Sequence, residues 1–145
     1  MTLGMPEAQT LLGFDYGKQR IGIAVGQTLT ASVTPLTTLK AIKQKPDWRS
    51  IQALIEEWQP DLLVVGLPLH MDGSEQLLTE EARRFGHKLK GRYNLPVEWI
   101  DERLTSNEAE EIFRQQGGKM RSDKQDIDKI AAGLILQSWL SQHNN

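Results

Sequence analysis

Residues 11–26 constrain the fold of this chain most strongly, because they have the pattern of a β-hairpin. The apolar run at residues 11–14 predicts a strand, Gly17 opens a turn, and apolar residues then alternate with small ones in a second strand. Asp15 is a lone carboxylate at the point where the first strand enters the turn. Such an acid either accepts hydrogen bonds within its own turn or belongs to a site.

One face of this hairpin carries almost no side chains, because Gly22 and Gly26 both lie in its second strand. Another backbone or a phosphate chain can therefore approach that face closely. Residues 30–39 predict a third antiparallel strand. Pro35 predicts that this strand lies at the edge of the sheet or carries a β-bulge.

The rest of the chain alternates between helical and strand patterns. Apolar spacing and capping residues predict helices at residues 48–58, 78–89, 105–117 and 127–139. Short apolar runs predict strands at residues 62–65 and 97–100. This order predicts an α/β protein with a mixed five-stranded sheet flanked by helices, the element order of the ribonuclease H-like fold.

The length and composition predict one cytoplasmic domain. The 145 residues are enough to bury a core, so we expect a single domain over residues 1–145 with a flexible segment at residues 1–9. The absence of cysteine excludes disulfides and thiolate zinc sites. No signal sequence or membrane span is visible, and we expect a monomer or a weak homodimer without a membrane partner.

The charge is balanced overall but uneven along the chain. A net charge of −2 excludes the basic excess of a passive nucleic-acid coat protein. Basic residues are nevertheless concentrated at residues 40–49, 83–92 and 119–124. These stretches permit a phosphate-backbone substrate without requiring one.

Three acidic positions fall where open α/β sheets place their sites, at the carboxyl ends of central strands. Asp15 ends the first strand, Asp101 and Glu102 end the fifth, and Asp128 begins the last helix on its apolar arc. Carboxylate oxygens are the ligands of hard divalent cations such as Mg²⁺. Three convergent acids could hold one or two such ions and support phosphodiester hydrolysis.

Each of these features also has a simpler structural interpretation. Asp15 can accept hydrogen bonds in its turn, and Glu102 can form an ion pair with Arg103. Lys124 is either a solvated charge or a phosphate contact, and the loop at residues 67–74 is either a plain connection or a substrate contact. The histidines lack metal-ligand spacing, and we predict no catalytic role for them.

Four segments carry a recognisable family pattern. They are Phe14-Asp-Tyr-Gly-Lys-Gln-Arg-Ile-Gly22, Gly66-Leu-Pro68 with Gly73-Ser74, Asp101-Glu-Arg-Leu-Thr-Ser106, and Lys124 followed by Asp128 and Ala131-Ala132. In this order and spacing they resemble the YqgF family, also called RuvX, of Holliday-junction-resolvase-like nucleases. The resemblance extends over nearly the whole chain.

The resemblance implies a ribonuclease H-like fold, a site for Mg²⁺ or Mn²⁺, and a cytoplasmic role in maturing the 5′ end of pre-16S ribosomal RNA. It assigns catalysis and metal binding to Asp15, Glu102 and Asp128. It assigns substrate binding to four basic residues, Lys18, Arg20, Arg103 and Lys124.

The leading hypothesis is therefore a metal-dependent endonuclease acting on structured RNA. An alternative keeps this chemistry but takes branched DNA, as a Holliday-junction resolvase does. A second class is an actin-like nucleotide binder, because an Asp-x-Gly hairpin also binds phosphates there, although those proteins close two such domains over the nucleotide. A third is a non-catalytic RNA-binding or assembly factor in which the acids are structural.

Overall fold

Three strands precede all the helices in this protein, whose computed structural model describes residues 8–102 and 124–143. The strands are β1 (Thr10–Tyr16), β2 (Arg20–Gln27) and β3 (Ser32–Lys40). They are followed by α1 (Trp48–Trp58), β4 (Leu62–Leu67), α2 (Leu77–Tyr93), β5 (Val97–Asp101) and α3 (Lys124–His143). The helix predicted at residues 105–117 and most of the predicted flexible N-terminal segment lie outside the described residues.

The five strands form one mixed sheet in the order β3-β2-β1-β4-β5. β2 is antiparallel to both β1 and β3, whereas β4 is parallel to β1 and β5 is parallel to β4. The predicted α/β architecture with a mixed five-stranded sheet is therefore confirmed. β1 lies at the centre, and the carboxyl ends of β1, β4 and β5 meet at one edge of the sheet.

The third strand shows both properties expected from Pro35. It lies at the edge of the sheet, and its pairing with β2 shifts register between Ile23 and Ala24, where Pro35 faces Ala24. Proline has no backbone N–H to donate, so an edge strand with a bulge accommodates it. The strand starts two residues later than the pattern predicts because residues 28–31 form a turn, with Ala31 at a φ of 50°.

The core has two layers, one on each face of the sheet. Leu12 and Phe14 of β1 point into the layer that α1 and α2 cover, and Leu11 points into the layer beneath α3. This alternation follows from the two-residue period of a strand. Among the described helices, none combines the length and apolar character needed to cross a lipid bilayer.

The bare face of the hairpin is occupied by the backbone of α3. A β-carbon added at Gly22 would collide with the backbone carbonyl of Asp128. Of the two occupants that the sequence allows, a backbone or a phosphate chain, the structure places a backbone there. The first turns of α3 therefore lie directly on β2, and this close approach positions the site described next.

Candidate active site

A cleft of about 720 Å³ opens at the edge of the sheet where β1, β4 and β5 end. The three predicted acids all line it: Asp15 from β1, Glu102 directly after β5, and Asp128 from the start of α3. Their positions in the sequence are far apart, so the cleft is assembled only when the sheet and α3 pack together.

Two glycines explain how these acids come so close. Asp15 pairs in register with Gly22, and the Asp128 carbonyl lies against that glycine, so α3 brings Asp128 next to the end of β1. The Glu102 N–H donates to the carbonyl of Leu67 at 3.0 Å, which extends the pairing of β5 with β4. Gly66 leaves the space that the Glu102 carboxyl fills, because a β-carbon there would collide with Glu102 Oε2.

Asp15 and Glu102 form a hydrogen-bonded pair of carboxyls. Burial raises the pKa of Asp15 to about 6, a hydrogen bond with Glu102 opposes the rise, and the negative charge of Asp128 adds to it. Burial likewise raises the pKa of Glu102 well above its usual range, and the charge of Asp15 raises it further. Glu102 Oε2 is buried and has no hydrogen-bond partner among the described residues. The pair therefore carries an unbalanced negative charge whenever both groups are ionised.

Asp128 has a different partner. Arg20 Nε donates to Asp128 Oδ2 at 2.8 Å, with side chains 29% and 22% exposed, respectively. The acid on the apolar arc of α3 thus has the counter-charge that its position requires. Within residues 8–102 and 127–143, no three carboxylate or imidazole groups are close enough to form a metal-ion site. The structure brings Asp15 and Glu102 together, while Asp128 lines the same cleft bound to Arg20.

Two of the four predicted substrate-binding cations lie at this cleft. Lys18 and Arg20 both line it, and Lys18 Nζ is 3.6 Å from Oε1 of Glu81. Arg103 lies outside the described residues, and so does the side chain of Lys124, whose backbone begins α3. Both described cations of the site are therefore paired with acids.

The loop after β4 lies partly at the cleft. Pro68 lines the cleft, and its carbonyl accepts a hydrogen bond from the buried hydroxyl of Thr79, which anchors the loop to α2. Asp72 instead accepts hydrogen bonds from the backbone and hydroxyl of Ser74, and these hydrogen bonds lower its pKa. The residues 72–74 thus form a self-contained turn.

Sequence reasoning missed Glu81, which lines the cleft from α2. Its Oε1 atom is buried and has no hydrogen-bond partner among the described residues. A signal for it was present, because Glu81 is three residues after Leu78 and four before Phe85, on the apolar stripe of the helix. A charged residue on an apolar stripe indicates either a buried ion pair or a site.

The sequence pattern of a protein family described as "RuvX: Holliday junction resolvase" matches residues 9–142. A relative from Nitrosococcus oceani is 56% identical over 132 residues, covering 91% of this chain and 86% of the relative. One from Saccharophagus degradans is 49% identical over 136 residues, covering 94% and 96%. Both carry the name "Putative pre-16S rRNA nuclease".

Two solved structures have a similar fold. Thermus thermophilus RuvC aligns with a TM-score of 0.55 at 13% identity, covering 93% of this chain and 96% of that one. The fowlpox virus Holliday junction resolvase aligns with a TM-score of 0.55 at 16% identity, covering 92% and 99%. At these identities the likeness concerns the fold, and it agrees with the ribonuclease H-like class expected from the element order. With the family match and the 56% identical relative, it follows that this chain belongs to the RuvX family, described as Holliday junction resolvases.

Proposed function

We propose that this protein is a metal-dependent nuclease that hydrolyses phosphodiester bonds in structured nucleic acid. The observation that carries the proposal is the hydrogen-bonded, largely buried pair of Asp15 and Glu102 at a cleft that also holds Lys18 and Arg20. The paired carboxyls can hold a metal ion, and the basic side chains beside them can contact phosphates. Phosphodiester hydrolysis with a metal ion needs both. The names of the relatives support pre-16S rRNA as the substrate. The choice of its 5′ end and a cytoplasmic location rest on the resemblance of the sequence to the family.

The residues present fit a hard divalent cation. Glu102 Oε2 is buried without a hydrogen-bond partner among the described residues, and both carboxyls have raised pKa values because of burial. A donor set made only of carboxylate oxygens suits Mg²⁺ or Mn²⁺. Asp15 and Glu102 would hold the ion, with Asp128 as the third acid. When bound, such an ion supplies a Lewis acid that polarises phosphoryl oxygens and activates water.

The chain's own residues perform the remaining tasks. Burial raises the pKa of Asp15 to about 6, so this carboxyl contributes its negative charge to cation binding mainly above that pH. Arg20 restrains Asp128 through one hydrogen bond at 2.8 Å, and Lys18 lies across the cleft beside Glu81. Both cations would exchange their carboxylate partners for phosphate oxygens of the substrate. Arg103 and Lys124 remain predicted substrate contacts.

Cleavage of end-labelled precursor RNA by the purified protein with Mg²⁺ or Mn²⁺ tests this proposal. Replacing Asp15 or Asp128 by Asn, or Glu102 by Gln, should lower the cleavage rate by about a hundredfold or more, because each change removes a ligand charge. Glu57→Gln, which changes an exposed acid of α1, should cleave at the wild-type rate. Circular dichroism verifies that each variant is folded, and full activity in any of the three site variants would contradict the assignment.

Branched DNA is the second candidate substrate, because the matching family is described as Holliday junction resolvases. A four-way DNA junction added as a competitor to the RNA assay separates the two substrates. Preferential protection of the RNA by the junction, together with junction cleavage, would make DNA the substrate. Binding of RNA without cleavage of either substrate would favour an assembly role, and ATP binding in calorimetry would favour the actin-like alternative.

A further inference from the structure

A second groove adjoins the active-site cleft. It has a volume of about 180 Å³ and shares two lining residues, Tyr16 and Glu81, with the cleft. Its other walls come from the segment before α1 and from the middle of α2, namely Gln44, Lys45, Pro46, Arg84, Phe85 and Lys88. A polymer that lies in the cleft can therefore continue into this groove.

Three cations line the groove, and they come from two basic stretches that are far apart in sequence. Lys45 belongs to the stretch at residues 40–49, and Arg84 and Lys88 belong to the stretch at residues 83–92. The two α2 residues are one helical turn apart, about 6 Å along the axis, and therefore share one face. Tertiary packing thus concentrates positive charge beside the cleft.

The backbone holds Lys45 in place through a tight turn. The N–H of Ile42 donates to the Lys45 carbonyl at 2.8 Å, and the N–H of Lys45 donates to the Ile42 carbonyl at 3.0 Å. The two residues between them, Lys43 and Gln44, have φ values of 52° and 67°. This is the φ pattern of a type I′ turn, which fixes the direction in which the chain leaves.

The three cations are available to a ligand. All three are exposed, and none makes an ion pair within the part of the chain that the structure describes. The adjacent Arg83 differs, because two of its N–H groups bind Glu75 at 2.9 and 3.0 Å. Cations that lack a protein counter-charge attract an anionic ligand more strongly than cations already paired.

The boundary between the two cavities does not repel such a ligand strongly. Glu81 carries a negative charge there, but Lys18 Nζ lies 3.6 Å from it. The Tyr16 ring, partly exposed in both cavities, offers a surface on which a base can stack.

We propose that this groove binds the phosphate backbone of the nucleic-acid strand that flanks the cleavage position, with Lys45, Arg84 and Lys88 as the phosphate contacts. The identity of the ligand rests on the proposed nuclease function, whereas the groove itself is an additional binding site. Lysine and arginine bind phosphates mainly through charge, so the contacts act on any base sequence and weaken with salt.

The test compares two double variants with equal charge changes. Arg84→Gln with Lys88→Gln removes two groove cations, and Arg49→Gln with Lys90→Gln removes two exposed cations that lie outside the groove lining. Fluorescence anisotropy measures their binding to a labelled single-stranded RNA in EDTA over a salt series. The groove double variant should bind roughly tenfold or more weakly than the wild type at about 0.1 M salt. The slope of its log binding constant against log salt concentration should be smaller in magnitude by about 1.4. The control pair should bind within about twofold of the wild type.

DNA of the same sequence should lose affinity by the same factor, because the phosphates are common to both polymers. A loss confined to RNA, or equal affinities of the two double variants, would overturn the groove proposal. Lys45→Gln provides an independent variant outside α2, and it should weaken binding and lower the salt slope by about half as much.

These results are separable from the nuclease proposal, since EDTA prevents metal-dependent cleavage during the binding measurement. If the Arg84→Gln, Lys88→Gln variant binds weakly and the wild type cuts nothing with Mn²⁺, the groove proposal stands and the nuclease proposal is contradicted. If the wild type cuts with Mn²⁺ and this double variant binds as tightly as the wild type, the nuclease proposal stands and the groove proposal is contradicted.

Discussion

The carboxyls of Asp15 and Glu102 are held together at an electrostatic cost. Burial raises the pKa of Asp15 from 3.8 to about 6, and that of Glu102 is raised as well. Between about pH 3.8 and pH 6, Asp15 is protonated more in the folded protein than in the unfolded chain. The free energy of unfolding therefore falls as pH rises through this window. Below the unfolded pKa both states are protonated and the cost is absent. The part of the cost that belongs to Asp15 is present above about pH 6, unless a cation balances the charge.

Asp15→Asn should therefore stabilise the metal-free protein at neutral and alkaline pH. Two pKa units correspond to about 2.7 kcal/mol, and we expect about 1 to 2 kcal/mol because Asp15 keeps part of its surface in solvent. Near pH 4 the gain should be small. Urea unfolding in EDTA at both pH values measures the difference, with Glu57→Gln as the control. A variant that is less stable than the wild type at about pH 8 would contradict this account.

At the scale of elements, the contact between β2 and α3 decides where Asp128 lies. Gly22 lets the carbonyl of Asp128 rest on the strand, and Ala132, Ile135 and Trp139 continue the same face of the helix into the core. The helix therefore approaches the sheet most closely at its amino-terminal end. This close approach places a polar residue from the far end of the chain beside Asp15.

Gly22→Ala should both destabilise the protein and impair cleavage. The added methyl group must push α3 away from β2, which we expect to cost about 1 to 3 kcal/mol of unfolding free energy. The matched control is Gly91→Ala, where an added β-carbon meets nothing within 4 Å. Because that glycine lies inside α2, alanine should stabilise the protein by about 0.5 to 1 kcal/mol. Equal effects of the two substitutions in urea unfolding would rule out the close contact as the cause.

At the scale of the whole molecule, cation binding at the proposed site would be coupled to folding. Asp15, Glu102 and Asp128 come from three separate segments, and the unfolded chain does not hold them together. A ligand that binds only the folded state stabilises it in proportion to the logarithm of its concentration. A divalent cation bound at the proposed site would therefore offset the charge cost.

Mn²⁺ or Mg²⁺ should raise the unfolding free energy by about 2.7 kcal/mol at a concentration one hundred times the dissociation constant. EDTA should reverse the gain, and Asp15→Asn and Glu102→Gln should lose most of it. Thermal unfolding with and without metal measures the effect, and Ca²⁺ serves as a comparison ion. An equal gain in the wild type and both variants would place the metal elsewhere in the protein.

Local patterns were enough to predict the strands, the described helices, the sheet and the three acidic positions. Alternation and 3.6-residue spacing report which face of an element is apolar, and turns and caps report where it ends. Pro35 predicted an edge strand with a bulge, and Gly22 predicted a close approach, from chemistry within a few residues of each. These features depend on steric constraints within a few residues, so they can be inferred from the local sequence.

Only the tertiary structure decided which distant polar groups meet. It paired Arg20 with Asp128 across 108 positions, turned Glu81 into the cleft, and joined two basic stretches at one groove. Such contacts depend on how helices are placed and rotated on the sheet. That placement results from packing summed over the whole core, so no local pattern in the sequence specifies it.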